Sequence, residues 1–240
     1  MRGIATILRR ELGAYFLSPI AYVVNALFLF SAGLVFGLSV FQPGGEASLR
    51  ALFDPWGILI LVFVLPMLTM RLISEELRSG TIETLMTAPI TETQVVLGKF
   101  LGAFVFYLIL LATLLLYPII LSRFGSVDFK LLACNYLGLI LLGALYTAVG
   151  LFLSSWTKHQ IVAVFIGVVV LVIFSFASHG LAGEVESGWS KVLLQHLSIR
   201  SHFHDFVRGM VDINHVVFFV TTTAAFLFFA VKTLEMRRWQ

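Results

Sequence analysis

The segment Ser74–Gln94, SEELRSGTIETLMTAPITETQ, is a polar stretch between two strongly apolar runs of the chain. Good helix formers precede Gly80, and glycine readily adopts the left-handed conformation that ends a helix. Pro89 ends the next piece, because the residue before a proline avoids helical geometry. Thr91 and Gln94 then form a capping box that starts another helix. The pattern therefore predicts a helix, a short lateral helix and a second long helix.

The short lateral helix has the features of a docking element. Thr81 is a candidate N-cap, and Ile82, Leu85 and Met86 give the helix one apolar edge beside the charge of Glu83. A short helix held between two longer ones is well placed to meet a partner. The alternative is a solvated loop with no such role.

Composition identifies the surroundings of this segment. Of the 240 residues, 59% are hydrophobic and only 12% are charged, with a mean hydropathy of +0.99. Soluble domains have about twice that fraction of charge, so the chain is predicted to be a membrane protein. Its 16 basic residues are dispersed over loops and ends, which argues against nucleic-acid binding. The single Cys134 excludes a disulfide framework.

Six apolar runs approach the roughly 20 residues that a helical crossing needs. We therefore predict one all-α membrane domain, residues 1–240, with six transmembrane helices. The runs are Ile20–Phe41, Trp56–Ile73, Phe100–Leu121, Leu131–Ser154, Gln160–Ser178 and Val216–Val231.

The distribution of Lys and Arg predicts the orientation. The side that holds both termini and the Ser74–Gln94 segment carries ten of these residues, and the other side carries six. By the positive-inside rule, the first side is cytoplasmic and the chain is a multi-pass protein of the inner membrane.

Two segments outside the runs are predicted to be amphipathic. Residues 1–19 form an interfacial helix on membrane lipids, the alternative being a frayed tail, and residues 180–215 form short external helices or a small cap. In the first, the apolar face is Ile4, Leu8, Leu12 and Tyr15, and the bases are Arg2, Arg9 and Arg10. Pro19 is then predicted to open the first transmembrane helix, where a missing N–H costs nothing. In the second, the apolar faces are Trp189, Val192, Leu193 and His196, then Phe203, Phe206, Val207 and Met210.

The stretch EELRSGTIETLMTAPITETQVVLGKFLGA, residues 75–103, resembles the first cytoplasmic loop of ABC-2-type (type V) ABC transporter permeases. The shared features are an acidic pair, a Gly-Thr, a glutamate two residues later, a leucine, a proline and a Gly-Lys. The resemblance extends over the chain to the closing LEMRRW, and it is strongest to the gliding-motility permease branch. The permease of the exporter for copper maturation of nitrous oxide reductase is a more distant likeness.

The resemblance implies the permease subunit of an ATP-driven exporter, with residues 74–98 as the cytoplasmic coupling loop. A second permease copy or a homologous permease and a cytoplasmic ATP-binding subunit would complete it, with or without an extracytoplasmic auxiliary subunit. ATP and Mg would bind the partner subunit, since this chain has no G-x-x-x-x-G-K-[ST] motif. The implied coupling residues are Glu75, Glu76, Gly80, Thr81, Ile82, Glu83, Leu85, Met86 and Pro89. Glu75 and Glu76 are expected to pair with bases of the ATPase or with Arg9 and Arg10.

Small residues form two further sets, which serve either packing within the chain or a dimer seam or substrate path. They are Gly33 and Gly37 in the first run, and Gly143, Thr147, Gly150 and Ser154 in the fourth.

Other functions have weaker support in the sequence. The histidines lack metal-ligand spacing, so we predict no metal site and no cofactor bound by this chain. No catalytic pair supports an intramembrane enzyme, and no charge well inside a run supports an ion path. A non-transporting module that passes ATP-driven motion to an external partner fits nearly as well as export.

Overall fold

The computed structural model describes residues 2–40, 50–54, 56–81, 90–123, 128–181 and 199–238. Within these ranges the regular elements are all helices. In chain order they are α1 (Arg2–Leu17), α2 (Pro19–Val40), α3 (Arg50–Phe53), α4 (Trp56–Thr69), α5 (Arg71–Ser79), α6 (Glu92–Thr113), α7 (Leu116–Leu121), α8 (Phe129–Ser154), α9 (Gln160–Leu181), α10 (Ile199–Val207) and α11 (Ile213–Arg238).

Several helix ends lie where the sequence predicts them. Pro19 begins α2, where its missing N–H is not needed. Gly80 ends α5 with φ 72°, in the left-handed region. The Thr91 hydroxyl accepts a hydrogen bond from the N–H of Gln94 at the start of α6, as predicted.

Five stretches of the described chain are long and apolar enough to cross a membrane. They agree with the predicted membrane class and correspond to five of the six predicted runs. Helix α9 corresponds to the remaining run, but the part searched, Gln160–Phe176, is shorter than a crossing, so the six-span layout remains a prediction. The five stretches are Pro19–Ser39, Trp56–Ser79, Glu92–Leu121, Phe129–Ser154 and Ile213–Arg237.

Helix α8 is the centre of the bundle. It packs against α4, α6, α9, α10 and α11, and 72% of its most apolar window is buried. By contrast, only 28% of the corresponding window is buried in α2, and 17% in α11. The chain runs back and forth, so Gly80, Ser154 and the start of α6 lie at one end of the bundle. We call this the Gly80 end, and the opposite one the Asp54 end.

The structure corrects both predicted amphipathic faces. In α1, Tyr15 is buried as predicted, but Ile7 and Glu11 are buried too, whereas Ile4 and Leu8 are only partly buried. The packed face therefore includes an acid and is rotated from the predicted one. In α10, Phe203, Phe206 and Val207 are buried as predicted, but Met210 is 52% exposed. Helix α10 ends at Val207 and Gly209 has φ 79°, which turns Met210 off the helical face. The first external face, Trp189–His196, lies outside the described residues.

Candidate functional site

Helices α4 and α5 are joined by a break in the second crossing. Pro66 lies inside α4, where it removes one backbone donor and weakens the helix. The hydroxyl of Ser154, from α8, enters the break. It accepts from the N–H groups of Ile73 and Ser74, both at 3.1 Å, and donates to the carbonyl of Met70 at 2.9 Å. A hydroxyl has one donor and two acceptor positions, and all three are used here.

This contact fixes the direction of α5 relative to the central helix. A kink in a helix commonly arises where a side chain inserts between its own backbone groups, and Ser154 does so. The end of α4 is also close to α8 one turn away, because a Cβ added at Gly150 would collide with Thr69. Helix α5 is therefore attached to α8 rather than free to swing from the end of α4.

Four charged side chains form an ion cluster between α1, α5 and α6. The Lys99 ammonium lies 3.0 Å from Glu11 Oε1 and 2.9 Å from Glu76 Oε1. The Arg10 guanidinium lies 2.8 Å from Glu11 Oε1 and 2.7 Å from Glu76 Oε1. Lys99 also donates to the carbonyl of Leu72. Two cations and two anions thus balance within one contact of three helices.

Burial decides how strongly this cluster acts. The side chains of Lys99, Glu11 and Glu76 are 2%, 11% and 15% exposed, whereas that of Arg10 is 51% exposed. A buried charge is tolerated only when it is paired and hydrogen-bonded. Removing one partner of such a pair costs about 3–5 kcal/mol, so Lys99 holds the three helices together. The arrangement differs from a lysine that anchors the chain at the lipid surface.

The pKa values of Glu11 and Arg10 follow from these contacts. Burial alone would raise the pKa of Glu11, but Lys99 and Arg10 together hold it below its ordinary value of 4.5. Burial likewise opposes the charge of Arg10, and the two glutamates nevertheless raise its pKa. Because the pKa of Glu11 is lower in the folded state, its contribution to stability is present above about pH 4.5 and is lost as the pH falls through the folded value.

Glycines let α1 approach α6 closely enough to form the cluster. A Cβ added at Gly98 would lie 2.7 Å from the Cβ of Ile7, and one at Gly102 would lie 2.7 Å from the Cβ of Glu11. Tyr15 completes the contact at the other end of α1. Its hydroxyl donates to the carbonyl of Leu68 at 2.6 Å, and burial raises its pKa. Helices α1, α5 and the start of α6 therefore form one unit, which we call the corner.

The corner flanks the segment that resembles a permease loop, and sequence comparison identifies the family. Residues 47–196 match the family described as ABC-2 family transporter protein. The chain belongs to the ABC-2 transporter family. A comparison with curated proteins gives no match.

Membership of the ABC-2 family defines what kind of component this is. The family domain is a membrane component of a transporter and is not itself catalytic. Members of the ABC-2 family generally work with a cytoplasmic ATP-binding subunit. The corner is then the part of this ABC-2 chain that borders residues 82–89, the segment predicted to dock a partner.

The predicted coupling residues of the ABC-2 chain fall into two groups. Glu76 pairs with Arg10, one of the two bases expected for it, while Glu75 and Arg9 are exposed. Thr81 is exposed, and its hydroxyl lies 2.8 Å from that of Ser79. The remaining members, Ile82, Glu83, Leu85, Met86 and Pro89, lie outside the described residues, as does the predicted lateral helix. Arg2 begins α1.

Most of the small residues singled out in the sequence lie at contacts within the chain. A Cβ at Gly33 would lie 3.0 Å from the hydroxyl of Tyr117, and one at Gly143 would collide with Tyr107. Thr147 is buried and donates to the carbonyl of Gly143 at 2.7 Å. Gly37 differs, because a Cβ there would meet nothing within 4 Å.

Sequence reasoning did not predict the contacts made by Glu11, Gly98, Gly102 and Ser154, although Gly98 belongs to the Gly-Lys of the permease resemblance. Glu11 is an acid in an otherwise basic amphipathic helix, and that misfit was a signal of pairing. Gly98 and Gly102 form a G-x-x-x-G pattern, GKFLG, which predicts close helix packing. Ser154 was expected only as one of the small residues of the fourth run, and nothing in the sequence indicated its bonds to α5, since a serine at a helix end usually meets solvent or its own backbone.

Proposed function

We propose that this ABC-2 chain is the permease subunit of an ATP-driven exporter in the inner membrane, with both termini and the corner in the cytoplasm. Its ATP-binding partner docks on residues 82–89 and moves the corner. The observation that supports this most directly is the attachment on both sides of that segment. Ser154 fixes α5 to the central helix, and the ion cluster joins α5 to α6 and α1.

Such attachments turn a local push into movement of the spans. A force on residues 82–89 acts through Gly80 on α5 and through the Thr91 cap on α6. Neither helix can yield alone, because Lys99 and Glu76 pair across them. The corner therefore shifts as a unit, and α4 and α6 carry the shift into the bundle. A solvated loop without a role in coupling would need no buried ion cluster behind it.

We further propose that two permease copies, or this chain and a homologous permease, form the working transporter. Helix α2 is among the least buried spans, and its Gly37 faces open space, so it can receive a second copy, with α9 as the other candidate contact. The stoichiometry of the detergent-purified complex checks this, and one permease per complex would contradict it.

Two substitutions test the coupling role of residues 82–89. Gly80→Val places a β-branched residue at a left-handed position and distorts the end of α5. Glu83→Arg reverses a charge on the expected docking surface, which weakens charge complementarity with the partner. Both variants should insert normally, yet copurify poorly with the ATP-binding subunit or fail to change its ATP turnover.

Gly13→Val is the matched control, because it adds the same side chain at a position where a Cβ meets nothing within 4 Å. It should bind the subunit and support ATP turnover like the parent. If Gly80→Val and Glu83→Arg also behave like the parent, the coupling role of this segment is wrong.

A further inference from the structure

Two histidines face each other at the Asp54 end of the bundle. His202 lies on α10 and His215 on the first turn of α11, and their Nδ1 atoms are 2.6 Å apart. The His202 ring also stacks on Phe218 with a centroid separation of 4.1 Å. The pair therefore fastens α10 to the start of the last long helix.

Asp205 determines which nitrogen of His215 carries a proton. Its Oδ2 lies 2.7 Å from His215 Nε2, and a carboxylate can only accept, so Nε2 is protonated. In neutral His215 the Nδ1 atom is then an acceptor. His202 must donate its Nδ1–H to it, which gives a directed chain from His202 through His215 to Asp205.

The distance between the two Nδ1 atoms distinguishes a shared proton from a shared metal ion. Two nitrogens bound to one tetrahedral metal, each at about 2.0–2.1 Å, lie about 3.3 Å apart. The separation of 2.6 Å is well short of that and lies just below the range of about 2.7–3.2 Å usual for an N–H hydrogen bond, so it fits a short hydrogen bond rather than a shared metal ion. The described part of the chain also contains no group of three or more side chains suited to hold a metal.

Proton counting shows how acid affects this chain. One added proton leaves the contact intact, because a single Nδ1 acceptor is enough for an N–H···N bond. A second added proton places N–H groups on both Nδ1 atoms and brings two cations together, so the bond is lost and the rings repel.

We propose that the chain of Asp205, His215 and His202 is a proton-sensitive clasp, which holds α10 on α11 near neutral pH and releases it in acid. Release begins at the clasp because the second polar contact of α10, between His204 and Asp54, is strengthened and not weakened by an added proton. His204 lies 2.8 Å from Asp54 Oδ2, with Arg200 at 3.8 Å from Oδ1, and a protonated His204 binds that carboxylate more strongly. Elements packed around the clasp also carry Arg208, Asp212, Cys134 and Tyr136.

The single cysteine is a native reporter of this motion. Cys134 Sγ on α8 lies 3.6 Å from the carbonyl of Gly209, in the turn between α10 and α11. The experiment measures, in detergent, the rate at which a water-soluble maleimide modifies Cys134. At each pH this rate is divided by the rate at which the same reagent modifies glutathione. We expect the ratio to rise about fivefold or more as the pH falls from about 7.5 to about 5. A change of about fivefold is the lower end of typical coupling between sites.

His202→Gln tests the cause, because an amide can donate or accept without titrating in this range. This variant should keep Cys134 protected across the same pH range, while His159→Phe, at an exposed histidine of the other end, should respond like the parent. His202→Phe keeps the ring stack but removes the bond, so it should be open at both pH values.

Three results would overturn the clasp. They are a flat ratio in the parent, an unchanged pH response in His202→Gln, or a zinc-dependent rise of the unfolding midpoint at neutral pH that His202→Gln abolishes. The last would make the pair a metal site instead.

Discussion

Two buried polar residues, Ser154 and Lys99, determine how the Gly80 end is assembled. Each is almost completely buried, and each makes its contacts with other helices. Lys99 satisfies its charge with two carboxylates and a carbonyl, and Ser154 supplies the hydrogen bonds that α5 lacks at its start. Both residues are needed at positions where a shorter or apolar side chain would leave partners unsatisfied.

Replacing Ser154 with alanine should destabilise the protein by about 1–3 kcal/mol, because the buried N–H groups of Ile73 and Ser74 lose their acceptor. Thermal unfolding in detergent measures the change. Ser155→Ala is a close control, since Ser155 is equally buried but its hydroxyl donates, within the described residues, to the carbonyl of Phe152 in the turn just before it. Similar unfolding midpoints for the two variants would contradict the role assigned to Ser154.

At the scale of helices, small residues set the spacing and ionic or polar contacts then lock it. Lipid is as apolar as the side chains, so burial alone gives little reason for spans to associate, and close backbone approach matters more. Gly98 and Gly102 give α1 its approach to α6, and Gly143 and Gly150 give α8 its approach to α6 and α4. The ion cluster can form only because α1 lies so close.

Gly102→Ala should push α1 away from α6, since the new Cβ would lie 2.7 Å from the Cβ of Glu11, an atom fixed to the backbone. Overpacking of this kind costs about 1–3 kcal/mol. Hydrogen exchange of the α1 amides should become faster. In Gly13→Ala, which changes a glycine of α1 itself with nothing within 4 Å, exchange should stay the same or slow, because alanine favours helix. Equal exchange in both variants would exclude close packing at Gly102.

For the whole molecule, the main expectation is orientation. The Gly80 end carries more Lys and Arg than the Asp54 end, ten against six, and should therefore face the cytoplasm. The corner and the histidine clasp would then lie on opposite sides of the membrane. An ATP-binding partner would act on the first, and the pH of the outer compartment on the second.

Cysteine labelling from outside in a Cys134→Ala background tests this orientation. An impermeant reagent should label Ser187→Cys, in the segment before α10, and should leave Ser79→Cys, at the exposed end of α5, unlabelled until the membrane is permeabilised. The reverse pattern would place the corner outside and rule out docking of a cytoplasmic ATPase there.

The sequence by itself determined the class, the helices and many of their ends. Long apolar runs predict crossings because a backbone in lipid must bond within its own segment. Local chemistry predicts the ends, as at Pro19, Gly80 and Thr91, because a cap depends on residues a few positions apart. The permease resemblance of residues 75–103 agrees with the ABC-2 family match.

Only the tertiary structure decided which polar residues meet. Lys99 and Glu11 are 88 positions apart, and Ser154 and Ile73 are 81 apart, so neither contact leaves a trace in local periodicity. The buried face of α1 was misjudged for the same reason, because Glu11 is acceptable there only when Lys99 lies opposite. His202, His215 and Asp205 became a clasp only when the turn at Gly209 brought α10 back onto α11.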